Sequence, residues 1–201
     1  MKHSSTRALF EYWNRRRGRR PAPARSEIDP ADIRHILGDT FILAADFVDE
    51  IRFRLAGTRV CALFTREIKG EAFNALWSEP GSKQIGDLLA AVSNENIGLV
   101  AGVIGRTEDG TEVELELLLL PLAQAGATRV RALGVLAPLV PPYWLGEQPV
   151  VELELKSLRH IGAGQPDSRA PHFGQLRDGQ RLRHGFVVYK GGREHPGGRA
   201  G

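Results

Sequence analysis

The chain has 201 residues, 42% of them hydrophobic, and a formal net charge of +3. This length suits one core of ordinary size with tails, and no apolar run approaches the roughly 20 residues that a membrane span needs. A single cysteine, Cys61, excludes an internal disulfide framework and a multi-cysteine metal site. The polar, arginine-rich N-terminus lacks the apolar stretch of a signal peptide, so we expect a cytoplasmic protein.

Positive charge is concentrated at the two ends of the chain. Residues 1–25 contain eight Lys or Arg and one acid, residues 159–201 contain eight and three, and residues 26–158 carry a net charge of −9. Basic ends can bind nucleic acid or an acidic membrane. Such segments more often act as solubilising tails, and this is the interpretation we favour.

The N-terminal segment predicts a helix over Thr6–Arg17, with Leu9, Phe10, Tyr12 and Trp13 on one broad apolar side. We expect this helix to pack on the domain or on a second copy of it, because it is short for independent binding to a membrane. Its aromatic side chains amount to more apolar surface than a solvated helix needs. We therefore predict a homodimer whose interface contains Phe10 and Trp13.

Two strands and a helix follow a second, short helix that begins at Asp29-Pro30. Residues 41–48 are mostly apolar, and residues 51–55 alternate between apolar and polar, which predicts an antiparallel hairpin. Gly57 allows an abrupt turn out of the second strand, and Thr58 could cap the helix that begins there. A strand that is covered at once by a short helix is expected to form a pocket.

The second half of the chain predicts one more helix and then strands. Residues 82–94 have apolar side chains at helical spacing, and residues 99–107, 113–121 and 129–139 read as three antiparallel strands. Residues 150–156 resemble a further strand, either an added edge or a partner-binding strand. The order predicts an α+β domain, with short helices packed on one face of a five-stranded antiparallel sheet and an additional N-terminal helix.

Glu112, Glu114 and Glu116 stand at every second position of one predicted strand. Paired carboxylates could serve as a general acid and base. The even spacing instead predicts a row on the solvent-facing side of the strand, where Arg129 and Arg131 of the next strand could pair with it.

Three groups of residues resemble a known family. They are Tyr12-Trp13 with Arg20-Pro21 and Arg25; Asp29-Pro30 with Ile33 and Leu37; and Phe53-Arg54-Leu55-Ala56-Gly57-Thr58, continuing through Phe64, Arg66-Glu67 and Gly70 to Trp77. The chain resembles a PAS domain over roughly residues 7–140, and it is similar to the single-PAS family of small bacterial proteins. The resemblance implies a sensory or regulatory module that binds a small molecule or a partner protein and signals through protein contacts.

We predict that the chain has four parts: a basic N-terminal helix and linker at residues 1–25, a PAS-like domain at 26–145, a possible extra strand at 146–161, and a basic tail at 162–201. Gly, Pro and Arg dominate the tail, so we expect it to be disordered.

Apolar residues from every layer of the predicted domain are expected to converge and line a cavity for a small apolar ligand. These ligand-binding candidates are Phe53, Leu55, Phe64, Leu89, Val103, Leu117 and Leu133.

The sequence identifies no cofactor. Cys61 lies near the place where flavin-binding PAS domains carry a reactive cysteine, but its neighbours Val60, Ala62 and Leu63 are apolar. His35 lies on the early helix and not in the segment from which a haem ligand would come. We predict no metal site, and the cofactor and ligand remain unknown.

Two other functional classes stay open. One is a small-molecule enzyme on a cone-shaped α+β fold, for which Asp46 and His35 are the nearest candidate pair. The other is a pure dimerisation or interaction protein. Because we find no nucleophile triad or phosphate loop, we expect a signalling module and not an enzyme.

Overall fold

The structure, a computed structural model, describes residues 1–45, 50–123, 130–161, 181–183 and 186–188; at residues 130, 131, 181–183 and 186–188 it describes the backbone. The chain divides into two compact units, residues 1–170 and residues 171–201. The first unit contains the helices and the main sheet.

The described residues of the first unit form three α-helices: α1 (Ser4–Arg17), α2 (Thr58–Phe64) and α3 (Glu79–Glu95). Four short 3-10 turns connect them to the strands, at Arg25–Glu27, Pro30–Ile33, Leu37–Asp39 and Phe73–Leu76. The predicted start at Asp29 is a 3-10 turn and not an α-helix, with the Asp29 side chain accepting a hydrogen bond from the backbone N–H of Ala31. Helix α2 begins one residue earlier than a Thr58 cap would require, because Gly57 is the N-cap.

Six strands form one antiparallel sheet: β1 (Thr40–Ala45), β2 (Arg52–Ala56), β3 (Gly98–Thr107), β4 (Glu112–Pro121), β5 (Val130–Pro138) and β6 (Val150–Ile161). Their order across the sheet is β2-β1-β5-β4-β3-β6. The α+β class is confirmed, but the sheet has six strands and not five. Strand β6 pairs with β3 along its length and extends to Ile161, so the possible extra strand is an integral edge of the sheet.

Two hydrophobic clusters lie on opposite faces of this sheet. Successive side chains of a strand point to opposite faces, and in β1 Phe41 and Leu43 join one cluster whereas Ile42 joins the other. Helices α2 and α3 pack with the face of Phe41 and Leu43. Helix α1 covers the opposite face. The sheet is therefore a middle layer between α1 and the other two helices.

In the second unit, strands β7 (Arg181–Arg183) and β8 (Phe186–Val188) pair in antiparallel fashion. Disorder is predicted for residues 162–201. Apart from β7 and β8, these residues lie outside the described part of the chain. No helix in the described part of the chain is long and apolar enough to cross a membrane.

Candidate functional site

Four aromatic rings contact one another on the face of the sheet that packs with α2 and α3. Phe53 and Phe73 have ring centroids 5.4 Å apart, Phe41 lies 5.6 Å from Phe53, and Trp77 lies 5.8 Å from Phe73. The three contacts are edge-to-face, the arrangement that the quadrupoles of aromatic rings favour. This interior is therefore built from rigid, interlocking rings.

Five of the seven predicted ligand-binding residues meet in this interior. The buried members are Phe53, Phe64, Leu89, Val103 and Leu117. The expectation that all seven converge is wrong for Leu55 and Leu133, which lie elsewhere. A ligand-binding role for the five stays a prediction.

A β-bulge explains the position of Leu55. In the β1–β2 pair, Leu43 is opposite Phe53 and the adjacent Ile42 is opposite Leu55, so Arg54 is an extra residue in β2. An extra residue reverses the alternation of side chains beyond it. Leu55 therefore shares the face of Ile42 and is 40% exposed.

Leu133 is directed to the α1 side of the sheet. It pairs with Ile42 in the β1–β5 ladder, and directly paired residues share a face. Its cluster contains Leu9 and Trp13 of α1. The apolar run of β5 gave no alternation from which this direction could be predicted.

A buried donor in this interior lacks a hydrogen-bond partner. Among the described side chains, the indole Nε1 of Trp77 is buried and has no hydrogen-bond partner. Burying an N–H donor without an acceptor costs free energy. Trp77 is thus a place in the aromatic interior where an acceptor atom would be favourable.

Helix α1 buries its apolar side against its own sheet. Trp13 is 4% exposed, and its Nε1 donates a hydrogen bond of 2.8 Å to the carbonyl oxygen of Pro121. Phe10 is half-buried and stacks on Trp13 with a centroid distance of 6.3 Å. Of the two expected packing partners of α1, the domain itself is the one that covers Trp13, through β4 and β5. The homodimer stays a prediction.

The expectation of a solvent-facing glutamate row is wrong for Glu116. Glu112 and Glu114 are exposed, whereas Glu116 is buried beneath the start of α1. Its carboxylate accepts hydrogen bonds from the backbone N–H groups of Lys2 and His3, at 2.6 and 2.8 Å. Burial by itself raises the pKa of Glu116, but these hydrogen bonds outweigh it and hold the pKa below its ordinary value.

The pairing proposed for the glutamate row stays a prediction. Glu112 pairs with Arg106 on the neighbouring strand β3. Arg129 and the side chain of Arg131 lie outside the described residues.

Asp39 is the second buried carboxylate at this end of the domain. It is 3% exposed and accepts a hydrogen bond of 2.6 Å from the Ser5 hydroxyl of α1. Arg59 of α2 donates to both carboxylate oxygens, from Nε at 2.6 Å and from Nη2 at 2.8 Å. Burial raises the pKa of Asp39, whereas the hydrogen bonds from Arg59 and Ser5 lower it, and the net effect is a lowered pKa.

Two glycines allow Arg59 to reach Asp39. A Cβ atom on Gly57 would lie 2.0 Å from the carbonyl oxygen of Leu37, so the chain can pass this turn only without a side chain. A Cβ atom on Gly38 would lie 2.8 Å from Cζ of Arg59. The guanidinium therefore lies directly over the Gly38 backbone, and the turn into α2 positions it beside Asp39.

A concavity of about 470 Å³ opens beside this ion pair. It is lined by His3, Ser4, Ser5, Ala8, His35, Ile36, Asp39, Arg59, Pro138, Pro141 and Leu145. His35, a member of the candidate enzymatic pair, lies at this surface site and not in the aromatic interior. Its proposed partner Asp46 lies outside the described residues.

The basic end of α1 is largely engaged by the chain itself. Arg16 pairs with Asp32, and Arg20 forms a two-pronged pair with Glu27. The Arg17 guanidinium lies 5.1 Å above the ring of Trp13. Much of the positive charge of residues 15–20 is thus directed to groups of this domain.

Cys61 and metal binding give no further site. The Cys61 thiol is partly buried, and burial raises its pKa, which disfavours the reactive thiolate. Within the ranges that the structure describes, no three His, Cys, Asp or Glu side chains are grouped so that they could hold a metal ion.

The comparison with protein families is decisive for the fold. A family model described as PAS domain matches residues 1–137, which include α1, the turn at Gly57 and strands β1 to β4 with almost all of β5. The chain belongs to the PAS domain family. The sixth strand and the residues after it lie outside the matched region.

Solved structures of PAS domains are similar at low identity. The PAS domain of a protein from Colwellia psychrerythraea is 20% identical, with 55% of this chain and 97% of that chain covered and a TM-score of 0.38. The PAS domain, in complex with ethanol, of a LuxR-family transcriptional regulator from Burkholderia thailandensis is 13% identical, with coverages of 55% and 97% and a TM-score of 0.37.

A third match is an RNA-binding light-oxygen-voltage receptor, at 16% identity and a TM-score of 0.41, with 54% of this chain and 33% of that chain covered. No curated protein matches the chain.

Proposed function

We propose that this PAS domain is a regulatory module that acts through contacts with a partner protein and not by catalysis. The observation that supports this proposal is the shared carboxylate of Asp39. Ser5 of α1 and Arg59 of α2 both donate hydrogen bonds to it. Two helices on opposite faces of the sheet are thus held by one group, which is a physical route for coupling them.

Helix α2, which is linked to α1 through Asp39, is the element that would receive a signal. Val60, Leu63 and Phe64 of α2 are buried in the hydrophobic cluster that also contains the four aromatic rings. A change in the packing of that cluster would move α2, and with it Arg59. Loss of the Arg59 hydrogen bonds would leave the buried carboxylate of Asp39 less well compensated.

Helix α1 is the side that would respond. Its N-terminal end is held by Glu116 and Asp39, and its apolar side by Leu9 and Trp13. Release of α1 would expose that apolar side and the sheet face beneath it. A docked and a released α1 are the two states whose populations a signal could shift.

A bound small molecule is the second candidate, and the unpaired Nε1 of Trp77 favours it. A ligand with one acceptor atom could satisfy this donor, but it would have to fit among closely packed rings. Native mass spectrometry of the purified chain tests this candidate. A reproducibly retained compound supports it, and loss of that compound in Trp77→Phe would assign it to this site.

Hydrogen exchange tests the coupling between the helices. In Arg59→Gln we expect the amides of α1 to exchange about five- to thirty-fold faster than in the wild type, which corresponds to one or two kcal/mol of lost local stability. The matched control is Arg66→Gln, which removes an exposed pair with Glu71 just after α2. Unchanged α1 exchange in Arg59→Gln, or an equal increase in Arg66→Gln, would contradict the coupling.

A further inference from the structure

The 470 Å³ concavity combines apolar side chains with polar and charged groups. Ala8, Ile36, Pro138 and Leu145 supply apolar surface from three different segments of the chain. Asp39 is the one acidic side chain among the described residues that line it, and it is already engaged by Ser5 and Arg59. The acid at this site therefore does not repel an incoming anionic group as a free carboxylate would.

Arg59 supplies the guanidinium of the concavity, and its charge is partly offset by Asp39. Its side chain remains 49% exposed, although two of its nitrogens bind Asp39. His3 and His35 also line the site, and each can donate a hydrogen bond from a ring nitrogen. An arginine fixed by one carboxylate is preorganised, so it loses little side-chain entropy when it contacts a second.

The loop after β5 extends the apolar surface next to the concavity. Trp144 is buried and anchors the loop, while Tyr143 is 95% exposed and Val140 is also exposed. Pro141 and Leu145 of the same loop line the concavity. An exposed tyrosine on an anchored, proline-rich loop contributes contact area at low entropic cost, as the residues at the centre of protein interfaces do.

We infer that this concavity is the docking site for an acidic segment of a partner protein, in which a carboxylate lies beside an apolar side chain. The carboxylate pairs with Arg59 and the neighbouring histidines, and the apolar side chain packs on the apolar surface around Ile36 and Leu145. This inference rests on the proposed function, because it names the partner chemistry. Occupancy of the site would also place a second negative charge on Arg59, the residue that helps to hold Asp39.

Selection from a display library of random peptides of about twelve residues tests the inference. The full chain should enrich peptides in which Asp or Glu stands within a few residues of a large apolar residue. Their affinity should fall about tenfold or more for His35→Glu, which adds a negative charge at the exposed rim without touching Asp39. Val151→Glu on β6, an equally charged change at an exposed position outside the lining, should leave affinity unchanged.

Several outcomes would overturn the docking site. They are the absence of an enriched motif, a motif without acidic residues, or equal binding by wild type and His35→Glu. Displacement of the peptides by inorganic phosphate with equal affinity would identify a site for a free anion, and concentration-dependent self-association lost in His35→Glu would identify a second copy. If α1 exchange responds to Arg59→Gln but no acidic peptide is selected, the docking site fails while the proposed coupling stands.

Discussion

Ser5 and Arg59 donate hydrogen bonds to the same carboxylate, that of Asp39, although they belong to helices on opposite faces of the sheet. Asp39 lies in the turn before β1, at the end of the sheet, where the two helical layers come within reach of one group. This arrangement is the basis of the coupling proposed above. It also makes the stability of the domain sensitive to single polar substitutions.

We expect Asp39→Asn to lower the free energy of unfolding by about 1–3 kcal/mol at pH 7, because it removes charge-assisted hydrogen bonds from a buried site. Urea denaturation measures this change. The matched control is Asp32→Asn, whose pair with Arg16 is largely exposed on both sides and should be worth less than about 1 kcal/mol. Equal losses of unfolding free energy in the two variants would show that Asp39 contributes no more to stability than an exposed ion pair does.

The same two variants predict a pH dependence. The pKa of Asp39 is lower in the folded chain than its ordinary value, so its contribution is complete at neutral pH and is lost as the pH falls below about 4. The difference in unfolding free energy between wild type and Asp39→Asn should therefore shrink from pH 6 toward about pH 3. A difference that grows on acidification would contradict the lowered pKa.

Trp13→Ala should destabilise the single chain itself. Removal of a buried tryptophan costs about 3–5 kcal/mol, and this one also loses its hydrogen bond to Pro121. Phe10→Ala, at a half-buried ring, should cost about 1 kcal/mol. Denaturation measures stability, and sedimentation at micromolar concentration tests the predicted homodimer separately. If Trp13→Ala dissociates a dimer without destabilising the subunit, α1 packs on a second copy and not on its own sheet.

Alternation and turn residues were sufficient to predict most of the fold. The strand that contains Phe53, the turn at Gly57 and the helix that follows all form as expected, because apolar periodicity and glycine placement are local signals. The bulge at Arg54 could not be predicted, since it depends on the register with β1. For this reason Leu55 was assigned to the wrong face.

The polar part of the site was also missed from the sequence. By its spacing, Glu116 is one more member of an alternating exposed row. Its burial results from the packing of Lys2 and His3 against its carboxylate, a contact between distant parts of the chain. Asp39 follows a glycine in a turn, a position that is usually solvated. The glycines at positions 38 and 57 could have indicated a close approach of two backbone segments. They do not identify Asp39 and Arg59 as the side chains that meet there.

Gly57→Ala should prevent or strongly destabilise folding, because the added methyl group would meet backbone atoms of Leu37 and Gly38 that cannot move independently. Gly86 on α3 is a matched control, since a Cβ atom there meets no atom within 4 Å. Gly86→Ala should raise stability by about 0.5–1 kcal/mol, the usual gain from replacing glycine inside a helix. Thermal unfolding of both variants checks the prediction, and a Gly57→Ala protein of normal stability would refute the close approach.

Truncation of Leu117 and Leu55, two predicted pocket residues, tests on which face of the sheet each side chain lies. Leu117→Ala should cost about 2–5 kcal/mol, because the side chain is fully buried in the hydrophobic cluster that contains the four aromatic rings. Leu55→Ala should cost less than about 1 kcal/mol, since the bulge leaves Leu55 partly exposed. Similar losses from the two substitutions would place Leu55 in the interior after all.

A double-mutant cycle between Ser5→Ala and Arg59→Gln, read from the opening free energy of the α1 amides in hydrogen exchange, tests the central claim most directly. If Asp39 couples the two helices, the effects of the substitutions will be non-additive, with an interaction energy of about 0.5–3 kcal/mol. Additive effects, or α1 amides that do not respond to Arg59→Gln at all, would show that α2 does not communicate with α1 through this carboxylate.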